Sequence, residues 1–107
     1  MIHACFQEQQ QSLVGVSICG HAAYADAGQD IVCAAVSALV INFVNSLDEL
    51  TDDHYQIDVN QEDAEIDVVF TEELSEEGSL LLRSLILGLT SVEEEHGQYL
   101  DVIFKEV

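Results

Sequence analysis

DIVCAAVSALVINFVNSLDEL, Asp30 to Leu50, carries apolar residues on nearly every side of a helical projection, with alanines that permit close approach. That pattern predicts a helix lying centrally on a sheet rather than an amphipathic helix at a surface. Asp48, Glu49, Asp52 and Asp53 mark its exit. The longest apolar run within it, Ile31 to Val44, is interrupted by Cys33, Ser37 and Asn42. It falls short of the roughly 20 residues of a membrane span, so a buried core helix is expected and no membrane.

The segments around this helix read as strands. Ile2 to Gln7 and Ser12 to Gly20 alternate apolar and polar residues, and the polar Glu8 to Gln11 run between them reads as a hairpin connection. After the helix, Tyr55 to Asn60 and Ala64 to Thr71 alternate in the same way, with Asn60 to Asp63 between them. Ser75 to about Glu95 then predicts a second helix, with Ser75 as N-cap, acidic Glu76 and Glu77 in the first turn, and Leu81, Leu85, Leu89 and Val92 along one face. Gly97 ends it, and Gln98 to Val107 supplies a last strand. The expected fold is α+β, a single domain over residues 1–107 in the order ββαββαβ, with a mostly antiparallel sheet and two helices packed on one face. Its strand order is not set by these patterns.

Composition narrows the partners. Only Arg83 and Lys105 oppose 21 acidic residues, for a formal net charge of -19, while 49% of the residues are hydrophobic and can fill a core. Such a field repels nucleic acid and anionic membrane surfaces and attracts a strongly basic partner at low salt. Plain solubility is the other reading of the same acidity. The chain has three cysteines and an N-terminus without a basic signal-like region, which points to a reduced, cytoplasmic protein.

Chemistry concentrates in CGHAAYADAGQDIVCAAVS, Cys19 to Ser37. A histidine follows a predicted strand, a cysteine stands at a predicted helix start, and the Gly-containing loop from Ala22 to Gln29 lets the chain turn back to bring His21 near Cys33. With Asp30 as N-cap and Ile31 as the first helical residue, Cys33 falls at the third helical position. There the helix dipole and unpaired amides would lower its pKa, and the amides of Ile31, Val32 and Cys33 could receive an oxyanion. The 21 carboxylates act against that activation. Together, His21 as base and Cys33 as nucleophile suit acyl transfer through a thioacyl-enzyme.

The run Gly20 to Ser37, GHAAYADAGQDIVCAAVS, resembles the signature of the ribosomal-processing cysteine proteases, the Prp family. The likeness extends in order and length over essentially the whole chain, although the specific part is this segment. It implies Cys33 as nucleophile and His21 as base, with Asp30 and Ser37 as supporting residues. It further implies a substrate: the large-subunit ribosomal protein twenty-seven, a basic protein from which such enzymes remove an apolar, aromatic-rich N-terminal extension. No cofactor is implied.

Each residue also has a plainer reading. A lone cysteine near a helix start is commonly a small buried hydrophobe, and a loop histidine is commonly a hydrogen-bonded structural group. Asp30 as a cap is worth about 1 kcal/mol whatever else it does, and Ser37 can bond back to the Cys33 carbonyl. Tyr24, Asp26 and Gly28 in the loop are candidates for substrate contact on loop ordering. Cys19, His21 and Cys33 could form part of a zinc site, but a fourth ligand is not evident and metal is not expected. His3, His54 and His96 read as surface or structural residues. Cys5, Leu13, Val69 and Ile103 alternate away from the presumed core, and a partly apolar open face of this kind predicts a homodimer. The rival to a protease is a non-enzymatic acidic module that escorts a basic ribosomal protein and uses the Cys33 helix as core.

Overall fold

The computed structural model describes residues 1–20, 27–60, 62 and 65–107, with 27–29 as helical backbone only. The chain runs β1 (Ile2–Gln9), β2 (Ser12–Cys19), α1 (Ala27–Leu50), β3 (Tyr55–Asn60), β4 (Glu65–Phe70), α2 (Glu76–His96) and β5 (Leu100–Glu106). This is the ββαββαβ order expected from the alternation and the two apolar helical runs. The five strands lie in the order β3-β4-β2-β1-β5. All neighbours are antiparallel except β1 and β5, which are parallel.

Side-chain alternation makes the sheet one-sided. Phe6, Val16 and Val68 stand opposite one another across β1, β2 and β4, as do Ala4, Ile18 and Ile66, and these rows meet the helices. From α1 they receive Val32, Cys33, Val36, Val40, Phe43 and Leu47, and from α2 Leu82, Leu85 and Leu89. Each of these larger apolar side chains contributes about 1.5–3 kcal/mol by leaving water. Phe43 of α1 meets Phe70 of β4 edge-on with ring centroids 6.0 Å apart, and Phe6 stacks on Phe104 at 5.3 Å. Asp30–Leu50 is long and apolar enough to cross a membrane by length and composition, more so than the interrupted run suggested, yet its Val36–Val40–Leu47 stripe is taken up by the sheet.

Three local features differ from the sequence expectations. Leu13, expected on the open face, packs against the core. A bulge causes this: Gln7 pairs with Gly15 but Glu8 pairs with Leu13, so the skipped Val14 reverses the facing of the residue before it. The α2 core stripe is Gly78, Leu82, Leu85 and Leu89, with Leu81 and Val92 only partly buried at its margins. Most consequentially, α1 begins at Ala27, so Gly28 and Gln29 belong to the helix rather than to the loop. An aspartate favours both the cap and the first turn, because either position places its charge at the positive end of the dipole, and reading Asp30 as the cap therefore set the helix start too late.

The helix ends away from Cys33 are tied together. Thr51 Oγ1 donates to the Leu47 carbonyl at 2.7 Å, and the Asp53 amide donates to Thr51 Oγ1 at 3.1 Å. The Asp53 carboxylate then accepts from the Ser75 amide at 3.0 Å and from the Ser75 hydroxyl at 2.8 Å. Ser75 caps α2 as expected, accepting from the Gly78 amide at 3.0 Å. Gly78 is demanded by this junction, since a Cβ there would collide with the Asp53 carboxylate.

Candidate functional site

Gly20 sets the departure of the chain from β2. Its φ of +87° is open to glycine at no steric cost, and a Cβ would strike the Met1 carbonyl. His21, Tyr24 and Asp26 lie outside the described residues, so the described part of the site is the start of α1.

Along that helix Asp30, Cys33 and Ser37 are spaced by three and four residues and share one stripe. Asp30 is exposed and Ser37 half-buried, while Cys33 is 4% exposed and belongs to the core cluster. The helix start at Ala27 corrects two expectations. Asp30 is a first-turn residue and not the N-cap, and Cys33 is in the second turn and not at the third position. By the i→i−4 pattern, the amides of Ile31, Val32 and Cys33 point to the carbonyls of residues 27–29 and are not free to receive an oxyanion.

The electrostatics follow the geometry. Burial pushes the Cys33 thiol above its ordinary value, the Asp30 carboxylate pushes it further, and the chain's N-terminal ammonium acts in the opposite direction. The expected lowering by the helix terminus is thus replaced by a raised pKa, because the unpaired amides are a turn away and a carboxylate is nearer. Among the described residues, the surroundings of Cys33 therefore favour the thiol over the thiolate.

Cys19 sits elsewhere. It pairs with His3 across β1, and its neighbour Ile18 faces the core, so Cys19 is on the open face of the sheet while Cys33 is under the helix face. The two thiols share no site, which removes the zinc arrangement considered from sequence. Burial first, then Glu65, Asp67 and Cys5, raise the Cys19 thiol. His3 faces Asp101, Nδ1 to Oδ2, at 3.7 Å on the same face. His96, which the sequence did not connect with the site, lines a cavity of about 270 Å³ with Ile31, Val32, Ala35, Ser91, Val92 and Glu95. That cavity opens on the α2 flank of α1, away from the Asp30–Cys33–Ser37 stripe.

Residues 1–101 match the family described as cysteine protease Prp. The chain therefore belongs to a cysteine protease family, the Prp proteases. It is 29% identical over 107 residues to the ribosomal processing cysteine protease Prp of Bacillus subtilis strain 168, covering 95% of this chain and 96% of that protein. It is 28% identical over 86 residues to the protein of the same name from Staphylococcus aureus, covering 80% and 81% of the two chains. Among solved structures, SMU.848 from Streptococcus mutans superposes with a TM-score of 0.86 at 30% identity, covering 100% of this chain and 96% of that one. The Staphylococcus aureus Prp in complex with a covalently linked product peptide superposes with a TM-score of 0.87 at 25% identity, covering 98% of this chain and all of the other.

Proposed function

We propose that the protein is the endopeptidase that removes the N-terminal extension of the large-subunit ribosomal protein twenty-seven, with Cys33 as nucleophile and His21 as base. The observation that carries this reading is the family match across residues 1–101, joined to relatives named as ribosomal processing proteases. The raised Cys33 pKa supports base-assisted attack over a standing thiolate. His21 takes the thiol proton as Sγ bonds to the scissile carbonyl carbon, then returns it to the amine that leaves. Water, deprotonated by His21, attacks the thioester, and release of the extension restores the thiol.

Asp30 fits a supporting role better through His21 than through Cys33. Its charge opposes the thiolate directly but stabilises an imidazolium formed during the attack. Ser37, one turn beyond Cys33, borders the same stripe, while Tyr24, Asp26 and Gly28 complete the substrate side. The reaction uses no cofactor. The net charge of -19 suits a basic ribosomal protein and disfavours nucleic acid as a direct partner. A homodimer in the cytoplasm, joined through the open sheet face around Cys5, Val69 and Ile103, completes the proposal; Val69 and Ile103 are exposed there.

The test is to incubate the protein and its Cys33→Ala form with the extended ribosomal protein and to read product masses. Loss of the extension with the parent only supports the proposal. Intact substrate with both, despite confirmed binding, would transfer the assignment to an escort module.

A further inference from the structure

The two helices run antiparallel, with Ile31 and Val32 beside Ser91 and Val92, and Leu39 against Gly88. Ser79 therefore lies about 18 Å along α2 from the level of Cys33, the rise from Ser79 to Ser91 at about 1.5 Å per residue. Around that far end the surface is hollow. A cavity of about 640 Å³ opens between the β1–β2 turn, the segment after β4 and the start of α2. A second hollow along α2 shares Glu73, Leu74, Ser79 and Arg83 with it, so the two form one groove.

The groove has an apolar floor and an acidic rim. Leu13, Phe70, Leu74 and Leu82 supply the floor, and Leu13 is there because the β1–β2 bulge turns it inward. Leu80, 58% exposed, continues the apolar surface along α2. Glu72, Glu73, Glu76 and Glu77, all exposed, stand along the rim with Arg83. Among the described residues no carboxylate forms an ion pair with Arg83, so four carboxylates face one guanidinium and the rim stays negative. Glu76 and Glu77 have a local reason in the positive end of the α2 dipole, whereas Glu72 and Glu73 precede the cap and have none.

We infer that this groove is a second binding site, remote from Cys33, for a basic polypeptide segment that carries apolar side chains. Three features choose that occupant. The leucine and phenylalanine floor takes up apolar anchors, which a bare cation would not use. The negative rim attracts Lys and Arg and repels anions; a second copy of this chain, with a net charge of -19 and only Arg83 and Lys105 to offer, is repelled as well. The turn at the groove's edge holds Gln10 and Gln11 at positive φ, where Asn-Gly would sit without strain. Their amides, with the Arg83 guanidinium, supply the donors and acceptors that the main chain of a bound segment requires. The inference deepens the proteolytic reading and rests on it for the partner's identity. The basic part of the ribosomal protein docks here while its extension is cut at Cys33, so recognition of the protein is separate from recognition of the bond.

The test uses Glu72→Gln with Glu73→Gln, and separately Leu80→Ser, at exposed positions that leave the core and the Ser75–Asp53 tie intact. Binding of the fluorescently labelled ribosomal protein twenty-seven, without its extension, is read by anisotropy and is therefore independent of cleavage. The parent should bind it, more weakly as salt rises, and each variant should bind it about fivefold or more weakly. With the extended ribosomal protein as substrate, KM should rise by a similar factor at unchanged kcat. Cleavage of a short peptide that spans the scissile bond and lacks the basic part should stay as in the parent. Equal binding by parent and variants, no binding by the parent, or equal losses on the short peptide and the whole protein would overturn the inference. Tighter binding by the doubly neutralised variant would overturn it too, since the groove would then favour anions. Failure of the protease reading shows separately, as absent cleavage of both substrates by the parent with binding of the extension-free protein intact.

Discussion

Asp53→Ala should be among the most costly polar substitutions in the molecule, although Asp53 lies far from Cys33. Its carboxylate accepts from the Ser75 amide at 3.0 Å and from the Ser75 hydroxyl at 2.8 Å, so it orders the residue that caps α2. Hydrogen bonds to a charged group are worth about 1.5–3 kcal/mol each. The residue is half-buried, and water recovers part of that, so about 2–3 kcal/mol is the expected loss. At roughly 4 °C per kcal/mol for a domain of this size, Tm should fall by about 10 °C. Ser75→Ala, which removes the cap oxygen, should cost about 1 kcal/mol. Because both changes break the Ser75–Asp53 contact, the double variant should cost about 1 kcal/mol less than the sum of the singles. Urea unfolding monitored by circular dichroism reads all three. A loss under about 0.5 kcal/mol for Asp53→Ala, or strict additivity in the cycle, would refute the assignment of this aspartate as the tie between the two helix ends.

Gly20→Ala should destabilise by more than about 2 kcal/mol, from positive φ and the collision with the Met1 carbonyl together, and unfolding curves would show it. Gln10 and Gln11 both have positive φ, at 52° and 67°, in a two-residue hairpin turn. Replacing them with Asn and Gly should therefore stabilise by about 1–2 kcal/mol, read in the same assay. Cys33 has a folded pKa raised above its unfolded value, so its stabilisation is full below the ordinary thiol range. That stability is lost as pH rises from about 8.5 through the folded value; Cys33→Ala should flatten this alkaline limb, and an unchanged limb would count against burial as the cause. Asp30→Asn should move the pH profile of Cys33 alkylation to lower pH, since it removes a charge that disfavours the thiolate, and mass spectrometry of the labelled protein reads it. Ile103→Asp on the open sheet face should convert a dimer to monomer in sedimentation; a parent that sediments as a monomer would refute the dimer proposal.

The sequence by itself determined the element order. Period-two alternation in Tyr55–Asn60 and the all-round apolar pattern of Asp30–Leu50 are local consequences of backbone geometry, and each is written within a few neighbouring residues. Ser75 as a cap and Gly97 as an end were legible for the same reason, and the segment around His21 and Cys33 was specific enough to carry the family resemblance. Long-range contacts decided the rest. The parallel placement of β5 beside β1 depends on residues about a hundred positions apart, and the bulge that turns Leu13 inward depends on how Gly15 pairs with Gln7. Asp53 read only as part of an acidic helix exit, because its partner Ser75 lies 22 residues on. The position of Cys33 within the helix was misplaced from sequence because an aspartate suits either the cap or the first turn. Only the observed start at Ala27 places the thiol a turn deeper, where burial and the Asp30 charge raise its pKa.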